Sequence, residues 1–100
     1  MKSKKPKITK SNILYSIAEK IIPSGGQTYS KGVSQFTKGI APKYLESGKG
    51  AYATDVDGNK YIDYVMACQP LILGYSDLDV NKAIIKQLHK GSTFSLHNKL

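Results

Sequence analysis

Three stretches carry residue types that could do chemistry. Asp55, Asp57 and Asp63 lie close together in the chain. Paired carboxylates can serve as acid and base when their surroundings push their pKa values apart. No histidine is near them in sequence, and two of them flank the turn residues Gly58 and Asn59, so they read as acids that cap or solvate a turn. Asp55-Val56-Asp57-Gly58-Asn59 begins like a calcium loop, but Lys60 stands where that loop needs glycine and Met66 where it needs a bidentate glutamate. Gly48-Lys49-Gly50-Ala51-Tyr52-Ala53 matches a relaxed dinucleotide fingerprint. That motif must open a helix, so that the pyrophosphate meets its N-terminus, whereas here it opens a strand and reads as a tight turn. His89 and His97 have no ligand partner at metal spacing. Cys68 is the only cysteine, which excludes an intrachain disulfide and a cysteine-built zinc site; it reads as a small buried hydrophobe rather than a nucleophile. Residue types and spacing therefore assign no catalytic group, no cofactor-binding group and no metal ligand.

The elements that must position these residues are better defined. Tyr52, Thr54 and Val56 alternate with Ala51, Ala53 and Asp55, the period of a strand. Asp57-Gly58-Asn59 supplies the turn, and Tyr61, Ile62, Tyr64 and Val65 form the return strand. A strand at 43–46, with a turn at Ser47 to Gly50, completes a three-stranded antiparallel meander of 43–46, 51–56 and 60–65. Upstream, Ile13, Leu14, Ile17, Ala18, Ile21 and Ile22 share a helical face; Ser11 or Asn12 is the expected cap and Pro23 the stop. Residues 23–41 read as a long loop, which in a compact domain points to function or to packing on a larger structure. Downstream, Asp77 or Asp79 can cap a second helix whose face is Val80, Ala83, Ile84, Gln87 and Leu88, with Gly91 as the residue that ends it. Two amphipathic helices and a small meander cannot cover one another's apolar faces, so the pieces read as the N-terminal portion of a larger α/β fold.

Composition adds limits. The chain has 100 residues and a formal charge of +8, all fifteen cations being lysine. Five of these lie in residues 1–10, so the remaining ninety hold ten lysines against seven acids, a balance of +3. The basic character belongs mainly to a Lys-rich, flexible tail at 1–10, which reads as a solvated terminus. A lysine-rich interaction or nucleic-acid-binding module is the alternative; the absence of arginine, the residue suited to bidentate phosphate and guanine contacts, argues against it. The run from Ile13 to Ile22 is broken by Glu19 and Lys20, which does not suit a signal peptide, and no stretch approaches membrane-spanning length, so a cytoplasmic location is expected.

Four blocks resemble the N-terminal segment of class III (ornithine-type) aminotransferases, in the branch that contains glutamate-1-semialdehyde 2,1-aminomutase. They are Ile22-Pro23-Ser24-Gly25-Gly26, the hairpin from Gly50 to Tyr64, Pro70-Leu71-Ile72-Leu73-Gly74-Tyr75, and Val80 with Ala83 and Ile84. The resemblance runs from about residue 20 to residue 100. It implies a fold type I pyridoxal-phosphate enzyme, a homodimer, and amino-group transfer on a small-molecule donor or acceptor, with 11–100 as a small-domain segment that precedes the cofactor domain. In that family the lysine that holds the cofactor, the aspartate that pairs with its ring nitrogen and the phosphate loop all lie beyond residue 100. None of the fifteen lysines matches the cofactor position, so this segment alone is expected to bind no pyridoxal phosphate.

The resemblance also implies substrate-binding positions. The loop after the paired glycines, which helps hold substrate in the aminomutase, is here Gln27-Thr28-Tyr29-Ser30-Lys31-Gly32. Thr28, Tyr29, Ser30 and Lys31 are the expected substrate residues there; Gly32 stands where the aminomutase has arginine, with Lys31 adjacent. The second group is Cys68 and Gln69, where the aminomutase has an aromatic residue at the Cys68 position. These departures point toward aminomutase-like aminotransferases and leave aminotransferase and aminomutase both open.

Overall fold

The computed structural model describes residues 5–99. Helix α1 spans Thr9–Ile21, strand β1 Leu45–Lys49, β2 Tyr52–Asp55, β3 Lys60–Ile62 and helix α2 Leu78–Leu88. The strands form one antiparallel sheet in the order β1-β2-β3, as the meander reading expects.

The boundaries differ from those read in the sequence, each for a local reason. The turn expected at Ser47 to Gly50 is shorter. Ser47, Gly48 and Lys49 belong to β1, Lys49 pairs with Tyr52, and Gly50-Ala51 alone make the turn. Gly50 supplies the positive φ, 55°, that a two-residue hairpin loop requires. The register shifts between Leu45 and Ser47, so β1 carries a bulge. Strand β3 stops at Ile62 rather than 65 because Asp63 turns the chain: its side chain takes up the amides of Val65 and Met66, which are then lost to the ladder.

Helix α1 begins at Thr9, within the expected tail, and neither Ser11 nor Asn12 caps it. The part of that tail at residues 1–4 lies outside the described residues. The loop at 23–41 is a chain of short 3-10 turns at Pro23–Gly25, Tyr29–Lys31 and Val33–Gln35. In α2 the Asp77 carboxylate accepts from the amides of Asp79 and Val80, which settles the cap between the two aspartates considered. Gly91, with φ of 105°, lies two residues past the C-cap His89 rather than next to it.

Packing is lopsided. Among the described residues Ala53 is the one buried hydrophobic side chain, while Ser11 and Asp55 are buried polar residues. Ile13, Ile17 and Ile21 of α1 and Val80, Ile84 and Leu88 of α2 are all exposed. The radius of gyration is 16.7 Å, against about 13 Å for a compact chain of this length. No helix is long and apolar enough among the described residues to cross a membrane.

Candidate functional site

The hairpin turn is built on one carboxylate. Asp55 is fully buried at the end of β2. Its Oδ1 accepts from the amides of Asp57 (3.0 Å) and Asn59 (2.8 Å), and its Oδ2 from the Asn59 side-chain amide (2.8 Å) and the Tyr61 hydroxyl (3.0 Å). Burial alone would raise its pKa; the donors from Asn59, Tyr61 and Asp57 outweigh that and hold it below the usual carboxylate range. The same burial and the Asp55 charge push the Tyr61 hydroxyl up to about 12.

Asp57 faces the other way. Its two oxygens accept from the amides of Lys10 (2.7 Å) and Ser11 (2.9 Å), the first turn of α1. An acid from the hairpin thus caps a helix 46 residues upstream, where the positive end of the helix dipole favours it. Desolvation opposes ionisation of Asp57, but the Ser11 and Lys10 donors prevail and lower its pKa. Asn59 also donates to the Lys7 carbonyl (2.6 Å), and Lys43 donates to the Asn12 side chain (2.7 Å). These contacts fix α1, and with it the start of the 23–41 loop, to the sheet.

Asp63 closes the far end. Its Oδ1 accepts from the amides of Val65 (2.9 Å) and Met66 (3.1 Å), and its Oδ2 from the Tyr75 hydroxyl (2.6 Å). The Tyr75 bond is the main reason the Asp63 pKa falls, and it lifts the Tyr75 hydroxyl to about 12. Tyr75 also exchanges both backbone bonds with Gly50, at 2.8 and 2.9 Å. Its ring lies on Gly48 so closely that a Cβ there would collide with Tyr75 Cγ. The four residues that follow Val65, namely Met66, Ala67, Cys68 and Gln69, all have positive φ, at 48°, 50°, 65° and 86°. A left-handed run of non-glycine residues costs on the order of 1 kcal/mol per residue, so the surrounding bonds must hold it. A shallow cavity of about 260 Å³ opens beside it, lined in part by Gly50, Asp63, Met66, Leu71 and Tyr75.

The six expected substrate residues fall in two groups. Tyr29, Ser30 and Lys31 form the second 3-10 turn of the loop and Thr28 is the extended residue that enters it, all four exposed. Cys68 and Gln69 stand exposed on the left-handed turn. The expectation that Cys68 is buried is thus corrected: the turn projects it where no layer of the described chain covers it. No hydrogen bond joins the two groups among the described residues. Each of the three aspartates accepts hydrogen bonds that shape the hairpin and its flanks, as their place around a turn implies. Sequence reasoning missed the pairing of Asp63 with Tyr75. An aspartate two residues before the end of a strand-like run is a known turn signal and could have drawn attention to it; nothing local announces Tyr75.

The fit of pyridoxal phosphate can be tested on these residues. Its aldehyde calls for a desolvated lysine. No described lysine is buried, and the one that is half-buried, Lys43, is engaged with Asn12 and lies 4.7 Å from the centre of the Tyr15 ring. No group of three or more potential metal ligands is present among the described residues either. Among the described residues, then, no lysine has the desolvated setting that the cofactor aldehyde calls for.

Comparison with known proteins supplies the frame. Residues 35–99 match the family model for aminotransferase class III. The chain is 42% identical over 86 residues to glutamate-1-semialdehyde 2,1-aminomutase 1 of Listeria monocytogenes serotype 4b, an alignment that covers 86% of this chain and 20% of that protein. Among solved structures it is similar to a transaminase with PLP bound (29% identity, TM-score 0.77, 92% of this chain and 20% of the other). It is also similar to a glutamate-1-semialdehyde aminomutase from Pseudomonas aeruginosa (25% identity, TM-score 0.77, 91% and 19%). The chain thus spans about a fifth of the length of the relatives it matches. The α/β fold is that of a segment of the fold type I transferases. On the family match and the identity together, this chain belongs to the class III aminotransferases.

Proposed function

We propose that this chain supplies the N-terminal part of a pyridoxal-phosphate-dependent aminotransferase or aminomutase that moves an amino group on a small carbonyl or amino substrate. The observation that carries the proposal is the 42% identity over 86 residues to an aminomutase, across the hairpin, the left-handed turn and α2. The exposed apolar faces of α1 and α2 are consistent with it, since they call for a surface that the described residues do not provide. The remaining four-fifths of the family fold would bring the cofactor lysine. In the assembled enzyme, a cytoplasmic homodimer on this reading, Thr28, Tyr29, Ser30 and Lys31 would approach the substrate from the loop, and Cys68 and Gln69 from the left-handed turn. Lys31 is the cation available there for a substrate carboxylate.

A chimera tests this. The matching segment of the Listeria aminomutase is replaced by this chain, and pyridoxal phosphate content and amino transfer are measured. The expected result is a protein that retains cofactor and transfers amino groups, with its substrate preference altered by the replaced loop. A folded, cofactor-loaded chimera without amino-transfer activity on any amino donor would refute the proposal.

A further inference from the structure

The run of positive φ from Met66 to Gln69 needs a cause, because nothing in those four side chains favours a left-handed backbone. Within the run, the Cys68 amide donates to the Val65 carbonyl (2.9 Å) and the Leu71 amide to the Met66 carbonyl (3.4 Å). The stronger constraint comes from outside. One Asp63 oxygen takes both amides that start the turn, and the other takes the Tyr75 hydroxyl. Asp63 is itself fixed through its amide on the Ala51 carbonyl (2.9 Å). Tyr75 is pinned by its two backbone bonds to Gly50 and by its ring on Gly48. A single carboxylate therefore joins the hairpin, the start of the turn and the segment that returns after it.

We propose that Asp63 and Tyr75 are positioning residues: the carboxylate, locked by the tyrosine hydroxyl, holds the left-handed turn that presents Cys68 and Gln69 to substrate. The substrate role of Cys68 and Gln69 rests on the function proposed above; the clasp itself does not. Ala67 is the sensitive point, since glycine would adopt its φ of 50° without strain.

The experiment uses the full chain. Amide exchange is measured at Val65 and Met66, and the alkylation rate of Cys68, the only thiol, reports the turn independently. Asp63→Ala should speed exchange at Val65 and Met66 by about tenfold and change the Cys68 rate, while the amides of Tyr52 to Asp55 stay as they were. Tyr75→Phe, which keeps the ring on Gly48, should have a smaller effect of about threefold at the same two amides. Adding Ala67→Gly to Tyr75→Phe should restore exchange toward the parent value, a rescue that general loosening of the sheet would not give. Unprotected Val65 and Met66 amides in the parent chain, unchanged exchange in Asp63→Ala, or equal loss across the hairpin would each overturn the clasp. In the active chimera, Tyr75→Phe should raise KM for the amino substrate with cofactor content unchanged. An intact clasp whose loss leaves KM untouched would overturn the substrate role of the turn and leave the clasp standing.

Discussion

The hairpin and helix α2 answer the same folding problem in opposite ways. Around the hairpin, three aspartates satisfy backbone and side-chain donors at both ends of the sheet, and Asp55 is fully buried. Helix α2 has a well-formed aspartate cap and an apolar face, and that face lies open to solvent. Polar groups can be paired by neighbours a few residues away, so a turn can complete itself locally. Apolar area is stabilised only when another layer removes it from water, and about 25 cal/mol per Å² is then at stake. The difference teaches which part of the segment stands by itself and which part is an unfilled contact.

Removing the centre of the hairpin should have the largest effect. Asp55→Ala leaves the Tyr61 hydroxyl and two backbone amides without their acceptor and removes one of the two bonds of the Asn59 side chain. We expect a loss on the order of 3 kcal/mol in hairpin stability, read by denaturant titration of the Tyr52–Asp55 amide signals. The pH dependence follows from the same group. The Asp55 and Asp63 pKa values are lowered in the folded chain, so their contribution is complete above the unfolded value of about 3.9 and is lost as pH falls through the folded values. Tyr61 and Tyr75 act at the other limit: both are raised to about 12, so their stabilisation holds below the unfolded value and is lost as pH rises toward 12. The hairpin signals should therefore collapse in acid below about pH 4 and again in strong alkali.

Gly48→Ala should come next. The new methyl would strike the Tyr75 ring and part its hydroxyl from Asp63, for about 2 kcal/mol. The crosspeaks of Val65 and Met66 would report it first. Asp57→Ala acts on a different element. It removes the acceptor from the Lys10 and Ser11 amides, so helical signal should fall in α1 while the sheet registers persist. If instead the sheet melted with α1, the hairpin would not be self-contained.

The smallest effect is expected in α2. Ile84 is 50% exposed. Ile84→Ala should change the stability of this chain by less than about 0.5 kcal/mol in a thermal or denaturant melt. A large loss would mean that the face is already covered, and the contrast with the hairpin would fail.

What the sequence disclosed follows the same division. Local patterns were legible: the alternation in Tyr52 to Val56, the Asp57-Gly58-Asn59 turn, the apolar stripe and aspartate cap of α2. Contacts between distant positions were not. The cap on α1 comes from Asp57, so Ser11 and Asn12 misled as local candidates. The bond from Tyr75 to Asp63 spans twelve residues and leaves no periodic trace. The left-handed turn was hidden because four ordinary residues occupy it, not the glycine or asparagine that normally mark such backbone. Cys68 looked like a core residue because its type is usually buried, and its exposure is a property of that turn. The six candidate substrate residues came from family resemblance, since none carries a local chemical signature.

Hydrogen exchange resolved by residue, on the full chain as a monomer, tests the central contrast most directly. The account predicts slow exchange for amides bonded within β1, β2 and β3, together with Val65 and Met66, and fast exchange along Leu78 to Leu88, an eleven-residue helix with no layer packed on its apolar face among the described residues. Protection in α2 equal to that of the sheet would contradict it.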